Sequence, residues 1–128
     1  MNYSQIIKAA PALGELKKLR LPYTTARDIH KMYKTLEAEY QFFAQEEAKL
    51  RRELAAKDEK GTPKVSSDGR ITFADIATRD EYHKRLAELG ETDAQIEIPF
   101  ITISAEEIGE QLIAPETIGA LEGFITFE

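Results

Sequence analysis

The fold is decided by residues 25–57, which read TARDIHKMYKTLEAEYQFFAQEEAKLRRELAAK. This stretch contains no Gly and no Pro, and it is rich in Ala, Glu, Lys, Leu and Arg, which favour helices. Thr25 and Asp28 resemble a capping pair at its start, with Asp in place of the usual Glu. The stretch therefore predicts one unbroken helix from Thr25 to Lys57.

Apolar residues recur along this helix in alternating steps of four and three, except where Glu47 interrupts them. They are Ile29, Tyr33, Leu36, Tyr40, Phe43, Leu50 and Leu54. Such a stripe is typical of coiled-coil packing. The helix would be about 50 Å long, which exceeds the ~36 Å diameter of a compact domain of this size. We therefore expect an elongated molecule.

The following residues predict a chain that returns along this helix. Residues 63–73 suggest strand, turn and strand, because Asp68-Gly69 supplies the positive φ of a hairpin turn. A third helix is predicted from about Asp75 to Gly90, with an apolar side made of Ile76, Tyr82, Leu86 and Leu89. The expected result is an antiparallel helical hairpin with a β-hairpin at its tip.

The outer segments predict shorter elements. A helix over residues 4–19 would be capped by Ser4 and kinked or divided at Pro11. Residues 95–103 suggest a strand interrupted by Pro99, which is confined to an edge or a bulge. Ser104 and Glu107 form a capping box for a short helix, and Pro115 suits the first turn of a last helix to about residue 122.

Length and composition place these elements in one mainly α domain with a small β component (α+β). The chain has 128 residues, of which 42% are hydrophobic. We expect a single domain, 1–128, with an N-terminal helix and linker (1–23), the helical hairpin (24–90) and an acidic strand-helix part (91–128). No signal peptide is evident, and the longest apolar stretch is too short to span a bilayer. A cytoplasmic protein is expected.

Charge is divided unevenly along the chain. All 17 Lys and Arg residues lie at or before Arg85, whereas residues 88–128 carry ten acidic residues and no base. A basic zone is formed by Lys8, Lys17, Lys18, Arg20, Arg27, Lys31 and Lys34. It could bind phosphates, but the net charge of −6 would repel nucleic acid at long range. We favour the interpretation that this zone faces the acidic C-terminal third, within one molecule or between subunits.

Catalytic chemistry has little support in the sequence. The chain has no Cys, so it offers no thiol nucleophile and no zinc-thiolate site. Its two histidines, His30 and His83, lie outside any metal-binding motif. We expect no enzyme activity, cofactor, metal or small-molecule substrate.

Two groups of residues are the candidates for interaction with a partner. Among the aromatic residues Tyr33, Tyr40, Phe42 and Phe43, a core position is favoured for all four. Phe42 lies off the stripe, so it is also a candidate for an exposed contact. The acidic candidates are Glu106, Glu107 and Glu110.

Several short motifs resemble small proteins encoded by phages and prophages of Gram-positive bacteria. They are Ala9–Leu13, Leu21-Pro22, Lys57–Gly61, Asp68-Gly69, Ile96–Ile98 and the stretch from Ala114 to Glu122. That resemblance implies a genomic setting and no activity. The helix, tip hairpin and helix layout is similar to prefoldin subunits in shape alone.

These observations lead to a non-catalytic interaction protein that binds a protein partner or itself as an assembly or accessory factor. Self-association is expected because the third helix is too short to cover the whole apolar stripe. The alternative is an acidic inhibitor of a nucleic-acid-binding or defence protein of the host, and a weaker alternative is a small hydrolase or metal enzyme. Carboxylates exposed on one face would favour the inhibitor, whereas carboxylates that pair with the basic zone or are buried at a contact would favour the assembly factor.

Overall fold

A computed structural model describes residues 1–128, which fold as a mainly α protein with a small two-stranded sheet; 56% of the residues are helical. None of the helices combines the length and the hydrophobicity that a membrane-spanning segment requires. The helices are α1 (Tyr3–Leu16), α2 (Tyr23–Leu54), α3 (Ile76–Glu91), α4 (Ala105–Ile108) and α5 (Pro115–Ala120), and the strands are β1 (Ile101–Ile103) and β2 (Ile125–Phe127).

The chain forms two compact units. The first unit contains residues 1–40 and 93–128, and the second contains residues 41–92. Helix α2 contributes its first part to one unit and its last part to the other.

Helix α2 confirms the prediction of one unbroken helix, with both ends shifted. It begins at Tyr23, directly after Pro22, and ends at Leu54. Thr25 therefore lies inside the first turn, and the predicted capping role for Thr25 is wrong. The helix buries Ile29 and Leu36 as predicted, and Met32 in addition.

Helix α1 is capped by Asn2, not by Ser4 as predicted. The Asn2 side chain accepts a hydrogen bond from the Gln5 amide at 3.0 Å, and the Gln5 side chain accepts one from the Asn2 amide at 2.9 Å. This reciprocal pair is a capping box. The helix continues through Pro11 as one element, so the predicted division into two helices does not occur. Its buried face is made of Tyr3, Ile6, Ala9, Ala10, Ala12, Leu13 and Leu16.

The second unit joins the last part of α2 to α3. Asp75 caps α3 by accepting a hydrogen bond from the Thr78 amide at 2.7 Å. Tyr82 is buried as predicted, with its ring 5.3 Å from that of Phe73. Ile76, predicted on the apolar side, is 67% exposed because it occupies the first turn beside the cap.

Residues 55–75 of the second unit contain isolated bridges in place of the predicted strands. Lys57 bridges Pro63, and Val65 bridges Ile71, both in antiparallel fashion. Gly69 has the positive φ of 85° that the predicted turn requires. The turn thus forms where Asp68-Gly69 predicts it, but no regular strand is present at residues 63–65 or 70–73.

Strands β1 and β2 form a parallel two-stranded sheet in the first unit. The register pairs Ile101 with Ile125 and Ile103 with Phe127. The predicted strand over residues 95–103 is confined to its last three residues. Ile101, Ile103 and Ile125 are buried, so the sheet packs one face into the core of its unit.

Candidate interaction surface

The acidic residues of the C-terminal part are positioned by α4. Ser104 is its N-cap, and a reciprocal pair with Glu107 forms the predicted capping box. The Glu107 amide donates to the Ser104 hydroxyl at 3.2 Å, and the Ser104 amide donates to Glu107 Oε2 at 2.8 Å. A short helix of one turn is thereby fixed directly after β1.

Glu107 also connects α4 to the start of α2. The Thr25 hydroxyl donates to Glu107 Oε1 at 2.5 Å. This hydrogen bond, together with that from the Ser104 amide, lowers the pKa of the Glu107 carboxyl. Of the three predicted acidic interaction residues, Glu107 is therefore engaged within the first unit.

A second connection to the same region was not predicted. The side-chain amide of Gln111 accepts a hydrogen bond from the Arg20 amide at 2.6 Å and donates one to the Arg20 carbonyl at 2.8 Å. Nothing in the sequence distinguishes Gln111 from a surface glutamine, because its partner is a backbone group 91 residues earlier.

The remaining carboxylates of the C-terminal part are exposed. No Lys or Arg side chain forms a salt bridge with any acidic residue between 94 and 128. Asp93, just before this range, pairs with the N-terminal ammonium at 3.4 Å. The exposed acidic residues after Asp93 are Glu97, Glu106, Glu110, Glu116, Glu122 and Glu128.

The basic zone of the sequence is exposed as well. Within it, Lys18 pairs with Glu15 at 3.2 Å and Arg27 pairs with Asp28 at 3.4 Å. The Lys17 ammonium lies 4.0 Å from the centre of the Tyr33 ring, a cation–π contact. Helix α1 does pack against α5, so the two charged regions belong to the same unit, but no ion pair joins them.

The four aromatic candidates are divided between the two units. Tyr33 and Tyr40 belong to the first unit, and Phe42 and Phe43 belong to the second. Tyr33, Tyr40 and Phe43 are half-buried, and Phe42 is 44% exposed. The predicted core position is therefore only partly realised for three of them, and Phe42 lies at the surface, as its place off the stripe suggests.

Large apolar side chains are exposed in the first unit. Leu112 is 93% exposed and Phe100 is 63% exposed, and both lie among the acidic residues of the C-terminal part. Tyr23, at the start of α2, is 80% exposed. Each of these side chains is a large apolar group left in contact with water in the first unit.

The two histidines lie apart from any acidic cluster suited to a metal. No group of three or more His, Cys, Asp or Glu side chains is arranged to hold a metal ion. His83 contacts two aromatic rings, those of Tyr82 at 5.4 Å and Phe73 at 6.3 Å. His30 is exposed on α2.

Comparisons with protein-family models, with curated proteins and with solved structures found no match to this chain.

Proposed function

We propose that this chain is a non-catalytic interaction protein whose C-terminal part, residues 93–128 of the first unit, binds a basic surface of a protein partner. The observation that carries the proposal is the set of exposed carboxylates between residues 94 and 128 that have no Lys or Arg partner within the chain. Unpaired charges of one sign on a folded part of a protein speed the approach of an oppositely charged partner and disfavour others.

Exposed apolar side chains in the same region support a protein partner over a simple cation. Leu112 and Phe100 would be desolvated on binding, which adds affinity that charge alone supplies poorly. The exposed carboxylates then set orientation and selectivity.

Inhibition of a nucleic-acid-binding protein is the second candidate function. It is favoured by the absence of ion pairs between the acidic residues and the basic zone, since carboxylates that imitate phosphates must remain available. The two candidate functions predict different partners. The partner of an inhibitor would itself bind nucleic acid, whereas the partner of an assembly or accessory factor would not need to.

Self-association belongs to the same proposal. Tyr23 and Leu112, both in the first unit, would lose exposed apolar surface in contact with a second copy. We also propose that the end of α2 and α3 form an antiparallel helical hairpin with residues 55–75 at its tip, supported by the Glu53–Arg85 salt bridge at 2.9 Å. The resemblance to phage and prophage proteins supports a setting in the cytoplasm of a bacterial host.

A quantitative pull-down tests the acidic surface. The test variant replaces four exposed glutamates of the first unit by Gln, namely Glu106, Glu110, Glu116 and Glu122. The control variant replaces Glu59 and Glu81, which are exposed in the second unit, by Gln as well. We expect the test variant to lose the basic host proteins that the unmodified chain and the control retain. Equal capture by all three would contradict the proposal, and release of the partner by duplex DNA would favour the second candidate.

A further inference from the structure

The sheet of the first unit has an open edge at Thr102. Only two strands are present, so β1 pairs with β2 on one side and with no strand on the other. The Ile101 amide donates to the Phe124 carbonyl at 3.2 Å, and the Glu128 amide donates to the Ile103 carbonyl at 2.9 Å. In a parallel ladder, alternate residues direct their backbone groups to opposite sides. The amide and carbonyl of Thr102 therefore point away from β2.

No backbone group of the chain pairs with that edge. The backbone of Thr102 takes part in no hydrogen bond with a turn, loop or cap, and its side chain is exposed. Natural proteins protect such edges with Lys, with Pro or with short strands. Here Pro99 and the shortness of β1 limit the edge to about one residue pair, and no Lys or Arg is present after residue 85.

The side chains around the edge select the kind of segment that fits it. Phe100 precedes Thr102 by two positions and is 63% exposed, so an apolar side chain of an added strand would find a partner there. Glu97 and Glu106 flank β1 in sequence and are exposed. An added strand that carries Lys or Arg would be attracted, and an acidic one would be repelled.

We infer that the open edge of β1 at Thr102 binds an extended, basic segment of a partner protein by strand addition. The inference rests on the proposed function and adds to it the mode of binding and the chemistry of the segment. Because one residue offers only two backbone hydrogen bonds, most of the affinity comes from charge and from contact with Phe100. Binding is therefore weak and falls with ionic strength.

Fluorescence anisotropy tests the inference with a labelled peptide of alternating Lys and Val, and with a matched peptide of alternating Asp and Val. We expect the basic peptide to bind at low ionic strength and the acidic peptide not to bind. Failure of the basic peptide to bind the unmodified chain would overturn the inference. On binding, hydrogen exchange at the Thr102 amide should slow, which reports the backbone contact directly.

Thr102→Pro separates strand addition from general attraction, and Thr102→Lys tests the contribution of charge at the edge. Thr102→Pro removes the donor that faces outward, and Thr102→Lys places a positive charge there. Each should weaken peptide binding roughly tenfold, or about 1.4 kcal/mol. Ala87→Lys, on the exposed side of α3, adds the same charge in the second unit and should have little effect. Circular dichroism confirms that each variant is folded, and hydrogen exchange at the Thr102 amide of the unmodified chain keeps the test valid if Thr102→Pro does not fold.

The outcomes distinguish the inference from the proposed function. If neutralising Glu106 and Glu110 weakens binding but Thr102→Pro does not, and exchange at the Thr102 amide is unchanged by the peptide, strand addition is wrong and the acidic surface stands. If none of these changes matters, both are wrong. If sedimentation shows a dimer that Thr102→Pro dissociates, the occupant is a second copy, and the inference of a separate partner is overturned.

Discussion

Gln111 and Arg20 form a side-chain to backbone pair that holds the segment after α4 against the linker between α1 and α2. The Gln111 amide group both accepts from and donates to the Arg20 backbone, at 2.6 and 2.8 Å. It also donates to the Ile108 carbonyl at 3.0 Å. One side chain thus links two parts of the first unit that are distant in sequence.

Replacing Gln111 by Ala should lower the free energy of unfolding by about 1–2 kcal/mol. Two backbone groups of Arg20 lose their partner, and water compensates in part because the site is near the surface. Urea denaturation measures the change. Glu110→Ala is the matched control, since Glu110 is exposed, and it should change stability by less than about 0.5 kcal/mol. Equal effects of the two variants would show that the pair contributes nothing.

Glu107 should make stability depend on pH in the acid range. The pKa of Glu107 is lowered in the folded protein. Its contribution to the free energy of unfolding is therefore present above the unfolded pKa of about 4.3 and is lost as pH falls through the folded pKa. Glu107→Gln should be less stable at neutral pH and show a smaller loss on acidification. Glu106→Gln removes the same charge from the same turn without these hydrogen bonds. A pH profile of Glu107→Gln that matches the unmodified protein would contradict this assignment.

Tyr3 should make stability depend on pH in the alkaline range. Its hydroxyl donates to Glu39 at 2.7 Å, and burial, with this carboxylate, raises its pKa to about 12. The folded pKa of Tyr3 exceeds the unfolded value of about 10. The contribution of Tyr3 to the free energy of unfolding is therefore complete below about pH 10 and is lost as pH rises towards 12. Tyr3→Phe should lack this loss. Ultraviolet titration counts the tyrosine side chains that ionise near pH 12. If Tyr3→Phe shows the same number as the unmodified protein, the assignment is wrong.

Leu36 should be among the most costly positions to truncate. Its side chain is fully buried in the first unit, as are those of Ile29 and Met32 on the same helix. Leu36→Ala should destabilise by about 2–5 kcal/mol, through lost burial and the cavity left behind. Lys34→Ala, at an exposed position two residues earlier, should cost less than about 0.5 kcal/mol. A small loss for Leu36→Ala would mean that the core lies elsewhere.

Self-association should be visible in sedimentation velocity as a concentration-dependent increase in mass. Leu112→Ser removes the most exposed large apolar side chain and should weaken the association. Val65→Ser changes an exposed apolar residue of the second unit and serves as the control. Only monomer at the highest concentration reached would exclude the association.

The sequence predicted best where local chemistry decides the structure. The unbroken α2, the capping box of Ser104 and Glu107, and the turn at Gly69 all follow from neighbouring residues. The cap of α1 was misplaced because Asn2 and Ser4 are both good capping residues, and the reciprocal bond with Gln5 decides between them.

Features that depend on distant contacts were not predicted. The pairing of β1 with β2 joins residues 24 positions apart, and β2 has no turn signal that would link it to β1. The predicted stripe omits Met32 because heptad spacing selects its neighbour Tyr33. In the structure Met32 is buried in the first unit, which encloses more than one side of this part of α2. The hydrogen bonds of Gln111 and Glu107 depend on the same tertiary arrangement.

The division of the first unit into residues 1–40 and 93–128 has a consequence for synthesis of the chain on the ribosome. All residues of the second unit are translated before residue 93, so that unit can fold while translation continues. The apolar face of helix α1 includes Leu13 and Leu16. Helix α5 packs against α1, so this packing cannot form until α5 has been translated. Nascent chains stalled before that point therefore expose a surface that chaperones recognise.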